Sequence, residues 1–157
     1  MPPLSVTSKI LSINDSIPNN SITIDGAGKW LIPGLIDTHV HVPSDINFGE
    51  KYPTSSATIS FNNQHIFTPY ITNGVTTIID LNSNALHFGQ RNEIAKGNVI
   101  GPRMALSALI DGKNKGTRNV DKPIDAKQAV RSAKAEGYDF IKVYSNLNKK
   151  SFKAIVN

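Results

Sequence analysis

The sequence predicts an α/β fold: a parallel sheet with helices between its strands, preceded by a short β segment. Three observations carry this prediction. Short apolar runs recur at residues 35–42, 75–79, 103–110 and 138–144, with helix-length stretches between them. Glycine or proline punctuates each change of pattern, at Gly74, Gly97, Gly101-Pro102 and Gly137. Residues 1–34 instead alternate and turn, as half-buried β structure does. Strands alternating with helices imply parallel pairing.

Each element has a local reason. Ser21-Ile-Thr-Ile-Asp25 alternates apolar and polar side chains and reads as a strand. Gly26-Ala-Gly28 turns the chain, Lys29–Ile32 follows, and Pro33-Gly34 closes the segment. Residues 35–42 form the first strand of the sheet. Residues 54–73 read as a helix ended by Gly74 at C′, with Pro69 inside it predicting a kink or break. The strand at 75–79 ends at Asp80. A short helix spans 90–96 and stops at Gly97. Asp125 and Gln128 read as N-cap and N3 of a capping box, opening a helix that Gly137 ends. The strand at 138–144 and a helix from 151 to 156 complete four βα units. The domain reading is therefore 1–34 and 35–157.

Composition narrows the function. The chain has 157 residues, 39% of them hydrophobic, enough for one domain with a core. No cysteine is present, which excludes disulfides and thiolate chemistry. No apolar run reaches membrane-spanning length. No secretory pattern opens the sequence, so the reading places it in the cytoplasm. The net charge of +5 gathers at Lys113, Lys115, Arg118 and Lys122, and at Lys149, Lys150 and Lys153. Glycine and asparagine break up the first group and no aromatic interleaves it. A solvated loop explains it better than a nucleic-acid surface.

Two places carry chemistry. Asp37-Thr-His39-Val-His41 sets two imidazoles at i and i+2, on one face of a strand, with Asp37 below them. They stand at the C-terminal end of a parallel strand, where α/β folds bind ligands. Two neutral imidazoles there suit a divalent ion such as zinc; two polar residues in a wet pocket is the other reading. Lys142, within Phe140-Ile-Lys-Val-Tyr144, is a lysine inside an apolar strand. Either it reaches out to water, or its charge is removed by its surroundings. A neutral Lys142 facing the same lumen as the histidines can take up carbon dioxide and become an anionic bridge. His65 and His87 read as ordinary surface or supporting residues in a helix and a loop. Asp80, at the end of the second strand, reads as a loop cap rather than as a residue that reaches the site.

These segments together resemble the amidohydrolase superfamily, in its imidazolonepropionase-like and prolidase-like branch. Gly28-Lys-Trp-Leu-Ile-Pro-Gly-Leu-Ile-Asp-Thr-His-Val-His41 resembles the first barrel strand. Asn73-Gly-Val-Thr-Thr-Ile-Ile-Asp80 resembles the second. Arg91-Asn-Glu-Ile-Ala-Lys-Gly-Asn-Val-Ile-Gly-Pro-Arg103 is similar to the link into the third, and Ala135-Glu-Gly-Tyr-Asp-Phe-Ile-Lys-Val-Tyr144 to the fourth. The resemblance implies the first half of a TIM (β/α)8 barrel beside a small β-sandwich. It implies that His39 and His41 bind metal, that Lys142 is catalytic and, carboxylated, bridges two ions, and that the cofactor is one or two divalent ions such as Zn. It implies hydrolysis of dipeptide or non-peptide C–N bonds in a small amide-like substrate by a metal-bound hydroxide. A whole barrel needs about 250 residues. Strands 5 to 8, with two further histidines and an aspartate that the resemblance implies, are not in this sequence. Ile79 stands where many relatives carry a basic residue. The expectation is an N-terminal part, inactive alone, that pairs with a copy of itself or with a complementing C-terminal half. A non-catalytic metal- or partner-binding remnant is the alternative.

Overall fold

The structure, a computed structural model, describes residues 19–44, 46–47, 58–59, 61–112 and 118–156. The chain divides into two compact units, residues 1–32 and 33–157. Parts of three readings lie outside the described residues: the start of the helix at 54, the basic stretch at 113–117 and the first 18 residues of the β segment at 1–34.

In the first unit, residues 19–32 form turns and extended chain. The strand expected at 21–25 is not formed: Ile22 and Ile24 are largely exposed. Alternation marks a half-buried strand, but a strand needs a neighbour to complete its ladder and cover its apolar face. None pairs with it among the described residues.

The second unit is a parallel α/β sheet. Strands β1 (Leu35–Val40), β4 (Val75–Asp80), β5 (Arg103–Asp111) and β7 (Phe140–Val143) lie side by side in that order, all parallel. Two-residue β6 (Arg118–Asn119) pairs with the end of β5. Two-residue β2 (Ile46–Asn47) and β3 (Thr58–Ile59) form a separate antiparallel pair. Helices α1 (Asn63–Thr72), α2 (Ala85–Ala95) and α3 (Pro123–Glu136) lie in the crossovers, and α4 (Lys149–Val156) follows β7. This is the alternating βα order of a partial TIM barrel.

Helix boundaries follow capping chemistry. The helix expected at 54–73 is shorter than read: Thr58–Ile59 belong to β3, and α1 starts only at Asn63, where the Asn62 side chain accepts the Gln64 N–H. Pro69 lies inside it without ending it, and Gly74, at φ +78°, turns the chain into β4. Helix α2 starts five residues earlier than expected. Its N-cap Asn84 accepts the Leu86 N–H, and His87 at N3 accepts the Asn84 N–H. In α3, Pro123 takes the first turn, and Asp125 stands at N3 rather than at the N-cap, accepting the Lys122 N–H.

The core lies between the sheet and its helices. Val40, Val42, Phe67, Ile78, Met104 and Leu106 form one buried cluster. Ile110, Val120 and Ala126 form a second, beneath α3 and α4. Parallel sheets normally bury both faces. Here the face opposite the helices leaves Leu35, Ile36 and Phe140 about half exposed or more.

Candidate metal centre

The site is set by the register of the strands. Val40 pairs with Asp80, Asp80 with Leu106, and Ala108 with Ile141. Paired residues of a parallel ladder project to the same side, and neighbours alternate. Buried Val40, Leu106 and Ala108 therefore mark the helix side. His39, His41 and Lys142 fall on the opposite, open face. Lys142 sits beside Leu109 of β5.

Strand β1 is irregular where the histidines begin. Asp37 pairs with Ile78, yet Val40, three residues on, pairs with Asp80, two residues on. The extra residue is a β-bulge at Thr38–His39, a device that re-aims side chains beside functional sites. It costs the ladder a partner for the His39 N–H, and the Asp37 carboxylate accepts that N–H at 3.1 Å. The bulge also corrects one expectation. Asp37 does not lie below the imidazoles on their face; it is in register with Ile78, a helix-side residue. Its charge, after desolvation by burial, helps raise the Tyr70 hydroxyl above its ordinary value, with Asp80 adding to the effect.

The His39 and His41 rings stand edge to face with centroids 5.4 Å apart. Both side chains are exposed, and their ring nitrogens have no hydrogen-bond partner among the described residues. Two imidazoles sharing one tetrahedral ion, with metal–nitrogen bonds of about 2 Å, place their ring centres roughly 5 Å apart. The observed pair fits that donor set. Lys142 is half-buried, and no acceptor among the described residues meets its ammonium. Three strand spacings of about 4.8 Å separate its backbone from that of the histidines. A sheet curled into a barrel turns residues of its inner face toward one another; among the described residues no hydrogen bond joins Lys142 to either histidine. Among the described residues, no group of three or more His, Asp or Glu converges.

One residue departs from its sequence reading, and a second does what was read and more. His87 is not a surface loop residue: it lies in α2 and is 2% exposed. Its Nε2 is 2.8 Å from the Val42 carbonyl and 3.2 Å from Asp80 Oδ2. Asp80 caps its loop, accepting the Asn82 N–H, but it is also fully buried beside His87. Its position at a strand end was the available signal; its partner, 7 residues on, carried none. His65 is exposed on α1. A cleft of 480 Å³ lies elsewhere, walled by Phe88, Arg118, Glu136 and Tyr138, and neither histidine nor Lys142 lines it.

Comparison with known proteins agrees with this architecture. Residues 30–148 match the amidohydrolase family. The chain belongs to that family. No curated protein sequence matches it. Among solved structures, a prolidase complexed with N-methylphosphonate-L-proline superposes with a TM-score of 0.65 at 22% identity, over 92% of this chain and 44% of that one. A bottromycin amidohydrolase gives 0.60 at 22%, over 79% and 25%. The A. niger ochratoxinase gives 0.57 at 18%, over 79% and 39%. At these identities the likeness is one of fold. The chain spans less than half the length of the structures it resembles. No described helix is long and apolar enough to cross a membrane.

Proposed function

We propose that this chain is the metal-binding N-terminal part of a hydrolase acting on C–N bonds of small amide-like substrates. The observation that supports it most is the His39–His41 pair, whose ring nitrogens, without partners among the described residues, and 5.4 Å separation suit one divalent ion. Such an ion, when bound, supplies Lewis acidity toward a carbonyl oxygen and acidifies water. His39 and His41 act as neutral donors, and the bulge at Thr38–His39 turns the first of them toward the second. Asp37 holds the backbone of that bulge. Lys142 shares their face and lacks an acceptor among the described residues. As a free amine it can bond to carbon dioxide, release a proton and become the anionic ligand that neutral imidazoles lack. Two histidines and a lysine leave a tetrahedral or larger coordination sphere unfilled, so turnover needs ligands from outside the described residues. A complementing C-terminal half, or a second copy, is the partner this reading requires. The solved prolidase, in its complex with a proline phosphonate, makes dipeptides ending in proline the first substrates to try.

The test is zinc or cobalt titration of the purified chain. Wild type binds at one or two sites. His39→Ala and His41→Ala each weaken binding by about 100-fold or abolish it. Unchanged binding in both variants contradicts the reading. Supplying a C-terminal half then tests catalysis: metal-dependent hydrolysis that disappears in Lys142→Ala and returns in part with a short carboxylic acid supports the bridging role.

A further inference from the structure

The chain beyond the last ladder bond of β1 is held by one face of helix α2. Residues 84, 87 and 90 recur every three positions, so they follow one side of the helix. Each bonds to the segment that leaves His41. The Asn84 side chain donates to Ser44 Oγ at 3.2 Å. Gln90 Nε2 donates to the Pro43 carbonyl at 2.9 Å. His87 Nδ1 accepts the Asn84 N–H, so its proton sits on Nε2, which donates to the Val42 carbonyl at 2.8 Å. Both inner members are buried: His87 is 2% exposed and Gln90 7%. Asp80 backs His87 from the second strand, and Asn63 Oδ1 shares the Gln90 amide. Buried polar groups of this kind cost free energy unless they are matched. Two of them donating to the carbonyls of consecutive residues after His41, with the exposed Asn84 side chain bonded to the next residue, form a built feature.

We infer that His87 and Gln90 are positioning residues for the metal pair, acting through the backbone at Val42 and Pro43. This rests on the metal reading of His39 and His41. The bulge loosens β1 at Thr38–His39, and the ladder reaches only to Val40, whose carbonyl accepts the Leu81 N–H. His41 therefore stands on a stretch fixed ahead by the ladder and behind by α2. Without the α2 bonds its ring is free to swing away from His39. Outer partners of metal ligands typically contribute about 10- to 100-fold in affinity; acting at one remove, this pair belongs at the lower end.

The experiment compares zinc dissociation constants and amide hydrogen exchange over residues 38–44 in wild type, His87→Phe, His87→Gln, Gln90→Leu and Phe88→Ala. His87→Phe removes the donor to Val42. His87→Gln keeps an amide N–H near the same place. Gln90→Leu removes the donor to Pro43 along with a buried side-chain oxygen that has no partner among the described residues, so it should fold even if His87→Phe does not. Phe88→Ala disturbs the same helix where it packs on Tyr138 and touches none of these bonds. The inference predicts zinc binding about tenfold weaker, and faster exchange at 38–44, in His87→Phe and Gln90→Leu. It predicts substantial recovery in His87→Gln, and unchanged affinity with lower stability in Phe88→Ala. Unchanged exchange in folded Gln90→Leu overturns the clamp, whatever the metal does. Faster exchange with unchanged affinity overturns its role at the metal pair. Affinity insensitive to His39→Ala and His41→Ala overturns the metal reading instead, and leaves exchange to judge the clamp.

Discussion

The bulge at Thr38–His39 sets the His39–His41 pair residue by residue. It frees one N–H from the ladder, and Asp37 takes it. Asp37→Ala removes that acceptor and is expected to cost about 1 kcal/mol of stability, read as a lower denaturation midpoint, with weaker zinc binding. The two-residue spacing of His39 and His41 was legible because side chains alternate along any strand. The bulge was not, because it exists only relative to the register of β4. The burial of His87 was equally hidden, since it depends on Asp80 and on a carbonyl 45 residues earlier. A second residue-scale prediction concerns the fork between Arg118 and Glu136, whose Nη1–Oε1 arm is 2.9 Å. The guanidinium hydrogen bond holds the Glu136 carboxyl below its ordinary value of 4.5. A lowered carboxylate pKa contributes stability above the unfolded value and loses it as pH falls through the folded one. Acid unfolding below about pH 4.5 should therefore include a Glu136 component that Glu136→Gln removes. The pair is partly exposed, so the effect is small and weakens with salt.

Strand positions at the scale of elements were readable from apolar runs; helix starts were less so. Helix α2 begins five residues early because His87 fills the N3 role usually given to Glu or Gln, a substitution no capping pattern anticipates. Helix α3 begins at Pro123 because proline suits the first turn, which displaces Asp125 to N3. The strand expected at 21–25 failed for a different reason: alternation describes a face, and among the described residues no partner covers it. The junction of β5 with the segment after β7 depends on a missing side chain. A Cβ on Gly112 would lie 2.0 Å from the Asn146 carbonyl oxygen. Backbone cannot yield as a side-chain tip can, so Gly112→Ala is expected to cost about 1–3 kcal/mol. The buried Asp111 carboxylate, which accepts the Asn146 N–H at 2.7 Å, should lose that bond in the variant, and urea unfolding would register it.

For the whole molecule, one sheet face is packed and the other is open. Leu106, fully buried in the main cluster, anchors the packed face, and Leu106→Ala should cost about 2–5 kcal/mol. The open face carries His39, His41 and Lys142, and β1 and β7 each have one unpaired edge among the described residues. Unpaired parallel edges favour association. Size-exclusion chromatography is expected to show a dimer or larger species that a complementing half converts to a one-to-one complex; a stable monomer in both conditions would count against that partnership. The shared face of the three site residues could be suspected from alternation within each strand, but only the register across four strands establishes it. The most direct measurement of the central claim is anomalous diffraction at the zinc edge from crystals of the chain grown with zinc. The account predicts a peak between the His39 and His41 rings, on the face shared with Lys142. A peak elsewhere, or none at zinc concentrations that saturate the titration, would contradict it.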